Sequence, residues 1–397
     1  MTIDLNLFLT TALAVLILLM GDFIKKRSVF LKKFCIPIPV IGGLLFTLIV
    51  LIGYTTNFFT FNLNFVLSDF FMLAFYASIG FTASYKLLKK GGPNVIKFLL
   101  LSAIVVIFQN IVGISLAKFM GLNPLIGLAT ASIPMTGGHG TSAAFSPVLE
   151  AAGLENALTI TLAAATFGLI AGSLIGGPVG KYLIEKHNLT SDSNSGIASF
   201  VKDEIEKISN LDEKGVYLAV YQIILAMALG SVISMLLAKT GLTFPASVGA
   251  MVAAAILRNF ADYSYKIDIK ENEIRIIGEI SLIIFLAFSM MNLKLWQISD
   301  LAIPMFILLG AQIILMVLCA IYIDFKIMGK DYEASMIAVG HCGFGLGAVP
   351  TAMANMQSIE EKYGGAPTAF FIVPLVGSLF INFFNSAIIV GFINFLS

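Results

Sequence analysis

Charge is the property that this sequence has least of. Charged side chains make up 12% of its 397 residues, and hydrophobic side chains make up 58%. Soluble domains carry about 25% charged residues. Apolar runs long enough to cross a bilayer core, which needs about 20 residues, recur along the chain. The composition therefore predicts an integral membrane protein and argues against a soluble globular domain.

Cysteine and histidine are also scarce. The chain has three Cys residues without a CxxC spacing, which argues against a disulfide framework and a zinc site. Its three His residues are far apart and no HExxH motif occurs, so neither an enzyme nor a resident cofactor is expected. The formal net charge of +1 gives no sign of a nucleic-acid partner, and none is expected.

Ten apolar segments are predicted to cross the lipid bilayer as helices. They lie near residues 5–20, 37–54, 70–84, 95–117, 157–183, 216–238, 245–257, 280–292, 301–323 and 368–395. Two further apolar segments, 125–152 and 334–355, are interrupted by Gly and Pro. Backbone that is broken at membrane depth is tolerated only where protein or a polar cavity covers it. We interpret both segments as re-entrant hairpins.

The basic residues support this layout. If the N-terminus lies outside and the spans alternate, all but three of the 24 Lys and Arg residues fall on the cytoplasmic side. The exceptions are Lys118, Lys239 and Lys294. Cytoplasmic loops of membrane proteins are enriched in Lys and Arg. Counting either hairpin as a full crossing would remove the bias, so both termini are predicted outside.

The chain repeats itself internally. Glycines of the second hairpin and of the last span follow those of the first half at one constant offset. The matched positions are Gly138 with Gly343, Gly140 with Gly345, and the GSL triplets at 172–174 and 377–379. Each half has five spans, an odd number, so the second half enters the membrane from the opposite side. The fold is predicted to be all-α, with inverted repeats at 1–186 and 216–397 and a polar cytoplasmic linker at 187–215.

Two glycine-rich motifs carry a family resemblance. TGGHGT at 136–141 and GHCGFGLGAVPTA at 340–352 resemble the bacterial sodium:glutamate symporter family, with a departure from the family pattern at Val349. Flanking segments fit as well, among them LAFYASIG at 73–80 and TFGLIAGSLIGGP at 166–178. The resemblance covers nearly the whole chain.

The resemblance implies Na⁺-coupled uptake of glutamate across the bacterial inner membrane. It also implies a homodimer in which a transport domain with two hairpins moves, elevator-like, against a scaffold. The hydroxycarboxylate symporters look like a distant relative, so a Na⁺-coupled di- or tricarboxylate symporter stays open as an alternative. A channel and an intramembrane hydrolase are more distant alternatives.

The residues themselves indicate how an anion would be bound. Arg27, Arg258 and Arg275 are predicted in loops and no Lys lies in the middle of a span, so backbone N–H groups at hairpin tips and short polar side chains remain as donors. The predicted substrate-binding residues are Thr136, Gly137, Gly138, His139, Gly140, Thr141, Ser142, Gly343, Phe344, Gly345, Gly347, Thr351 and Asn355. The alternative is that the glycines only permit tight helix packing.

The coupling ion is predicted from what the spans lack. Proton coupling usually needs an intramembrane carboxylate or His relay, and Asp69 and Glu279 only begin spans. Sodium instead takes oxygen ligands, for which the candidates are Asn110, Ser378, Asn382 and Asn385. Interhelical hydrogen bonding is the alternative role for these side chains. A structural role is expected for His341.

Overall fold

The computed structural model describes residues 2–56, 58–191, 213–239, 245–264, 268–294 and 301–396. The helices are α1 (Leu7–Arg27), α2 (Val29–Lys33), α3 (Ile38–Thr55), α4 (Val66–Thr82), α5 (Tyr85–Lys90), α6 (Gly92–Phe119), α7 (Pro124–Ala129), α8 (Ser132–Met135), α9 (Gly138–Ala151), α10 (Ala157–His187), α11 (Glu213–Ala238), α12 (Ala246–Ser264), α13 (Glu271–Met291), α14 (Ala302–Met328), α15 (Tyr332–Leu346), α16 (Val349–Tyr363) and α17 (Pro367–Leu396). Helices α14 and α17 each contain a π-helical stretch, at Ala320–Asp324 and Leu375–Phe380.

Among the described residues, eight helices are long and apolar enough to cross a membrane by length and composition. They are α1, α3, α6, α10, α11, α13, α14 and α17. Helices also form at the two remaining predicted spans, as α4 and α12. The predicted linker at 187–215 is flanked by α10 and α11, and residues 192–212 of it lie outside the described residues.

A small sheet departs from the all-α prediction. Strand β1 (Thr2–Leu5) pairs in parallel with β2 (Thr60–Leu63), which places Asp4 opposite Asn62. The Asn62 Nδ2 group donates a hydrogen bond to Asp4 Oδ1 at 2.9 Å. Both strands are only four residues long and sit at the ends of apolar helices, where the sequence carries no alternating pattern long enough to predict them.

The long helices form two bundles, and each bundle contains helices at equivalent positions in the two halves of the chain. In bundle A, α1, α3 and α4 pack with α11, α12 and α13. In bundle B, α6 and α10 pack with α14 and α17 around the two interrupted segments. The bundles meet where α9 packs on α13 and where α17 packs on α4 and α12.

The two interrupted segments each consist of arms that pack against one another. Hairpin 1 (Pro124–Ala151) comprises α7, α8 and α9. Its first arm consists of α7 and α8, which are separated by Thr130 and Ala131. Hairpin 2 (Tyr332–Tyr363) comprises α15 and α16, which are separated by Gly347 and Ala348. The arms of hairpin 2 touch closely, because a Cβ on Gly343 would lie 2.3 Å from Ala352 Cα.

Helix α6 approaches hairpin 1 through a pair of glycines. A Cβ on Gly113 would lie 2.4 Å from the carbonyl oxygen of Gly127, and a Cβ on Gly127 would lie 2.2 Å from that of Gly113. Real Cβ atoms essentially never come so close to other atoms, so any side chain at either position pushes α6 and α7 apart. Close backbone contact through small residues is typical of helix packing in membranes.

We expect Gly113→Ala to lower the free energy of unfolding by about 1–3 kcal/mol, because the added methyl group overpacks the contact with α7. Gly310→Ala is the matched control, since Gly310 lies on α14 with nothing within 4 Å of an added Cβ. The control is expected to be neutral or slightly stabilising. Thermal and chemical unfolding of the two variants in detergent micelles measures the difference, and equal stabilities would contradict the prediction.

Candidate functional site

The interruptions of the two hairpins lie side by side in bundle B. Gly138, the first residue of α9, has a φ of +63°, a conformation that favours glycine. A Cβ added there would lie 3.2 Å from the carbonyl oxygen of Gly347, which separates α15 from α16. The two predicted motifs, far apart in sequence, therefore meet at one place in the fold.

Gln109 of α6 connects the two interruptions. Its Nε2 group donates to the carbonyl oxygen of Gly345 at 2.8 Å, and its Oε1 atom accepts from the Thr136 hydroxyl at 2.8 Å. Gln312 of α14 donates from Nε2 to the carbonyl oxygen of Gln109 at 3.0 Å. Both glutamines are fully buried. One amide side chain thus bonds hairpin 1 and hairpin 2 at the same time.

Neither glutamine was among the predicted site residues. Gln109 and Gln312 lie in the fourth spans of the two halves, each as a polar residue within an apolar run. An amide in such a run needs a partner inside the protein, because lipid offers none. The signal that could have identified them is that each is a polar residue in the fourth predicted span of its half.

Each second arm begins with unpaired backbone N–H groups. In α9 the amides of Gly138, His139 and Gly140 make no backbone hydrogen bond within the described ranges, and the same holds for Val349 and Thr351 in α16. Such orphan donors and the positive end of the helix dipole favour an anion. The tips therefore offer two clusters of donors for negatively charged groups.

Packing explains several of the predicted glycines. An added Cβ would meet a neighbour at 3.0 Å or less at the following positions: Gly137 at Thr141, Gly140 at Phe75, Gly343 at Ala352, Gly345 at Met316 and Gly347 at Leu169. The alternative that these glycines permit tight helix packing is thus well supported at these five positions. Gly138 differs, because its φ of +63° favours glycine for a conformational reason and an added Cβ would meet its neighbour only at 3.2 Å.

The predicted polar residues of the hairpins mostly have protein partners. His139 Nε2 lies 3.0 Å from the Thr166 hydroxyl, and the Ser142 hydroxyl donates to the carbonyl oxygen of Thr161 at 3.3 Å. Asn355 donates from Nδ2 to the carbonyl oxygen of Gly172 at 2.8 Å. Helix α10 therefore holds both second arms.

Thr351 is an exception among these side chains. Its hydroxyl is buried at the start of α16 and makes no hydrogen bond to any described residue. A buried hydroxyl normally has a partner, so this group has bonding capacity left for a ligand or a water molecule.

Two of the four predicted sodium ligands converge on Ser132, and two do not. Asn110 Oδ1 accepts from the Ser132 amide at 3.1 Å, and Asn385 Nδ2 donates to the Ser132 carbonyl oxygen at 3.2 Å. Asn382 is half-buried and Ser378 is exposed. The Ser132 hydroxyl and the second amide atoms of Asn110 and Asn385 are buried without a partner among the described residues. Sequence reasoning had not selected Ser132.

His341 has a structural partner, the carboxylate of Asp324. Its Nδ1 atom lies 2.7 Å from Asp324 Oδ2, and the two side chains are 2% and 0% exposed. The imidazole stacks on Phe344 with ring centres 4.9 Å apart and meets Phe98 edge-on. Phe344 therefore packs on His341, inside hairpin 2.

Asp324 was missed because the ninth span was predicted to end at residue 323. Helix α14 instead continues to Met328 through the π-helical stretch Ala320–Asp324, which buries the carboxylate. Single π-helical turns frequently occur at functional sites. The contact between Asp324 and His341 connects α14 to the first arm of hairpin 2.

The prediction that the three arginines lie in loops is wrong, because Arg27 is the last residue of α1, Arg258 lies within α12 and Arg275 lies within α13. Arg258 is 4% exposed and donates to Asp262 at 3.2 Å and to Glu271 at 2.5 Å. Asp262 also accepts from the Ser84 hydroxyl at 2.5 Å. Arg258 therefore pairs with two carboxylates of bundle A, while its Nη1 group is buried without a partner among the described residues.

The fold and the site together define a class of protein. A predominantly helical, multi-pass membrane protein with two interrupted helix pairs meeting in its core has the arrangement of a membrane transporter. A model of the family described as sodium/glutamate symporter matches residues 3–365. This chain belongs to the sodium/glutamate symporter family, as the two motifs predicted.

Individual relatives agree with the family model. A sodium/glutamate symporter of Escherichia coli (strain K12) is 40% identical over 385 residues, which cover 96% of this chain and 95% of that protein. A sodium/glutamate symporter of Haemophilus influenzae is 36% identical over 384 residues, with the same coverage of 96% and 95%. Among solved structures, a sodium proton antiporter of Methanocaldococcus jannaschii aligns over 99% of this chain and 98% of its own, with 16% identity and a TM-score of 0.46, which is too low for an argument about fold.

We expect Asp324→Ala to lower the free energy of unfolding by about 1–3 kcal/mol, because it leaves a buried imidazole without its hydrogen-bond partner. Asp324→Asn keeps an acceptor for the imidazole and should cost less. Asp22→Ala is the control, since Asp22 pairs with Lys26 at 2.6 Å on the surface and exposed pairs contribute at most about 1 kcal/mol.

Chemical denaturation of the three variants in detergent micelles measures these differences. An Asp324→Ala variant as stable as Asp22→Ala would show that the buried pair does not stabilise hairpin 2.

Proposed function

We propose that this protein is a secondary symporter that takes up glutamate together with Na⁺ across the cytoplasmic membrane of a bacterium. The observation that carries the proposal is the meeting of the two glycine-rich interruptions, in a member of this family, at one buried place. That place offers unpaired donors for an anion and unpaired oxygens for a cation. The relatives described as sodium/glutamate symporters support the choice of both solutes.

Glutamate would be bound through its carboxylates. The first turns of α9 and α16 lie close together. Gly138, where α9 begins, lies near the Gly347 carbonyl oxygen, and α16 begins two residues after Gly347. Half-helix N-termini that face an anion are a recurring substrate site in transporters. The Thr351 hydroxyl adds a donor without a protein partner. We infer that Gly138 to Thr141 and Val349 to Thr351 form the substrate cradle.

Sodium would be bound at Ser132. The Ser132 hydroxyl and Asn385 Oδ1 are oxygens without a partner among the described residues, and Na⁺ prefers such oxygen ligands together with carbonyls of broken helices. Ser132 begins α8, where the chain has just been interrupted at Thr130. The ion would therefore sit at the second break of hairpin 1, beside α17.

Transport would require bundle B to move against bundle A. We infer that the chain has ten membrane-spanning helices in two inverted repeats, with both hairpins re-entrant and both termini outside. Two such repeats would explain why each bundle contains equivalent helices from the two halves. Gly140 of α9 packs near Phe75 and Leu282 of bundle A, whereas Pro350 at the start of α16 is exposed. This asymmetry suits an elevator-like movement that opens one hairpin at a time. A homodimer, with bundle A as the fixed part, follows the family resemblance.

Uptake of radiolabelled L-glutamate into proteoliposomes tests the function. An inward Na⁺ gradient should drive concentrative, saturable uptake that stops when Na⁺ is replaced by K⁺. Excess citrate or malate should compete poorly. Uptake of citrate or malate instead of glutamate would overturn the substrate and keep the architecture. Flux that does not saturate or concentrate would indicate a channel.

We expect Ser132→Ala and Asn385→Ala to raise the Na⁺ concentration for half-maximal uptake by roughly tenfold each, since losing a bond to a charged group costs about 1.5–3 kcal/mol. The apparent affinity for glutamate at saturating Na⁺ should change much less. Ser378→Ala and Asn382→Ala are matched controls that remove the same groups from an exposed and a half-buried position of α17, respectively.

Sodium titrations of uptake at fixed glutamate give these values for all four variants. If Ser378→Ala or Asn382→Ala weakens Na⁺ dependence while Ser132→Ala does not, the ion site lies elsewhere on α17.

A further inference from the structure

A surface groove lies where α5 joins α6, away from the hairpins. It encloses about 450 Å³, and its walls combine apolar and basic side chains. The apolar part includes Leu88, Pro93 and Ile96, and the basic part includes Lys89 and Lys97. Ile96 is 42% exposed, so it forms part of the outer wall. The groove is thus apolar along its length and positive at its edge.

The two lysines have no protein counter-charge. Lys89 and Lys97 are exposed, and neither makes a salt bridge or hydrogen bond with any residue that the structure describes. They belong to the cluster of basic residues between the third and fourth spans. Two ammonium groups that line one groove without a carboxylate leave a site for an anion at the membrane surface.

We propose that this groove binds one anionic phospholipid. The headgroup phosphate would lie between Lys89 and Lys97, and the upper part of an acyl chain would run along Leu88 and Ile96. Basic pockets between helices at the membrane surface suit anionic headgroups, whereas a zwitterionic headgroup brings no net negative charge to the two lysines. Free glutamate has no apolar part to cover the walls, so the groove chemistry favours a lipid over the transported solute.

The groove lies at the connection between the two bundles. Helix α5 joins α4 of bundle A to α6 of bundle B, and its start is held on α12. The Ser84 hydroxyl donates to Asp262 at 2.5 Å and the Tyr85 amide donates to Asn259 Oδ1 at 2.9 Å. A lipid in the groove would therefore contact the short segment that both bundles share.

Native mass spectrometry of the purified full-length protein tests the proposal. Phosphatidylglycerol and phosphatidylcholine are titrated separately in detergent, and bound lipid is counted. We expect one phosphatidylglycerol site that phosphatidylcholine does not fill. The double variant K89Q/K97Q should bind phosphatidylglycerol there at least about tenfold more weakly, because each Lys near an anionic headgroup contributes roughly fivefold.

A second variant keeps the charges and fills the groove. Ile96→Trp should also remove the site, although both lysines remain. Two controls match these changes: K32Q/K33Q removes two exposed lysines after α1, and Ile104→Trp places the same ring on an exposed position of α6. Both controls should bind phosphatidylglycerol like the unaltered protein.

Three results would overturn the proposal. Equal binding of phosphatidylglycerol by K89Q/K97Q and by K32Q/K33Q would exclude the groove. Equal filling by phosphatidylcholine would exclude a charge-selective site. Displacement of the bound lipid by millimolar glutamate would instead indicate a solute site. None of these measurements depends on transport activity, so they stand apart from the test of the symporter function.

Discussion

The side chain of Gln109 is the interaction on which the centre of this structure depends. Helices broken inside a membrane protein expose carbonyl and N–H groups that lipid cannot satisfy. Gln109 meets this demand at hairpin 2, where its amide donates to the carbonyl oxygen of Gly345, and it also accepts from the side-chain hydroxyl of Thr136 in hairpin 1. Gln312 fixes the Gln109 backbone in turn. The two breaks are therefore held in a defined relation to each other.

The contacts within bundle B differ in kind from those between the two bundles. Within bundle B the hairpins are joined to α6, α10 and α14 by buried hydrogen bonds, including the Asp324–His341 pair. Between the bundles, the contact of Gly140 with Phe75 and Leu282 is apolar. The Thr82 hydroxyl of α4 also donates to the carbonyl oxygen of Leu379 in α17 at 3.0 Å. The two bundles are therefore joined by apolar packing and by a hydrogen bond.

Glycine patterns in the sequence predicted the interruptions well. Polar residues within apolar runs predicted the site residues only in part. The clusters around Gly138 and Gly345 correctly located both interruptions, although most of these glycines are also explained by close packing. Asn110 and Asn385 were selected as ligands, yet Ser132, on which both converge, was not. A serine is common in apolar helices, and only the fold shows that its hydroxyl lacks a partner. The assignments of substrate and sodium ligands remain predictions.

By itself the sequence determined the membrane class, the family, the places of the helices and the two interruptions. These follow from composition, from hydrophobic length and from glycine, which are local properties of the chain. Tertiary structure decided which atoms are left unpaired, and it placed Asp324 in the interior beside His341. It also divided the helices into two bundles that each draw on both halves. Hydrogen bonds and contacts between distant segments depend on distances that no local pattern encodes, so only the folded chain could settle them.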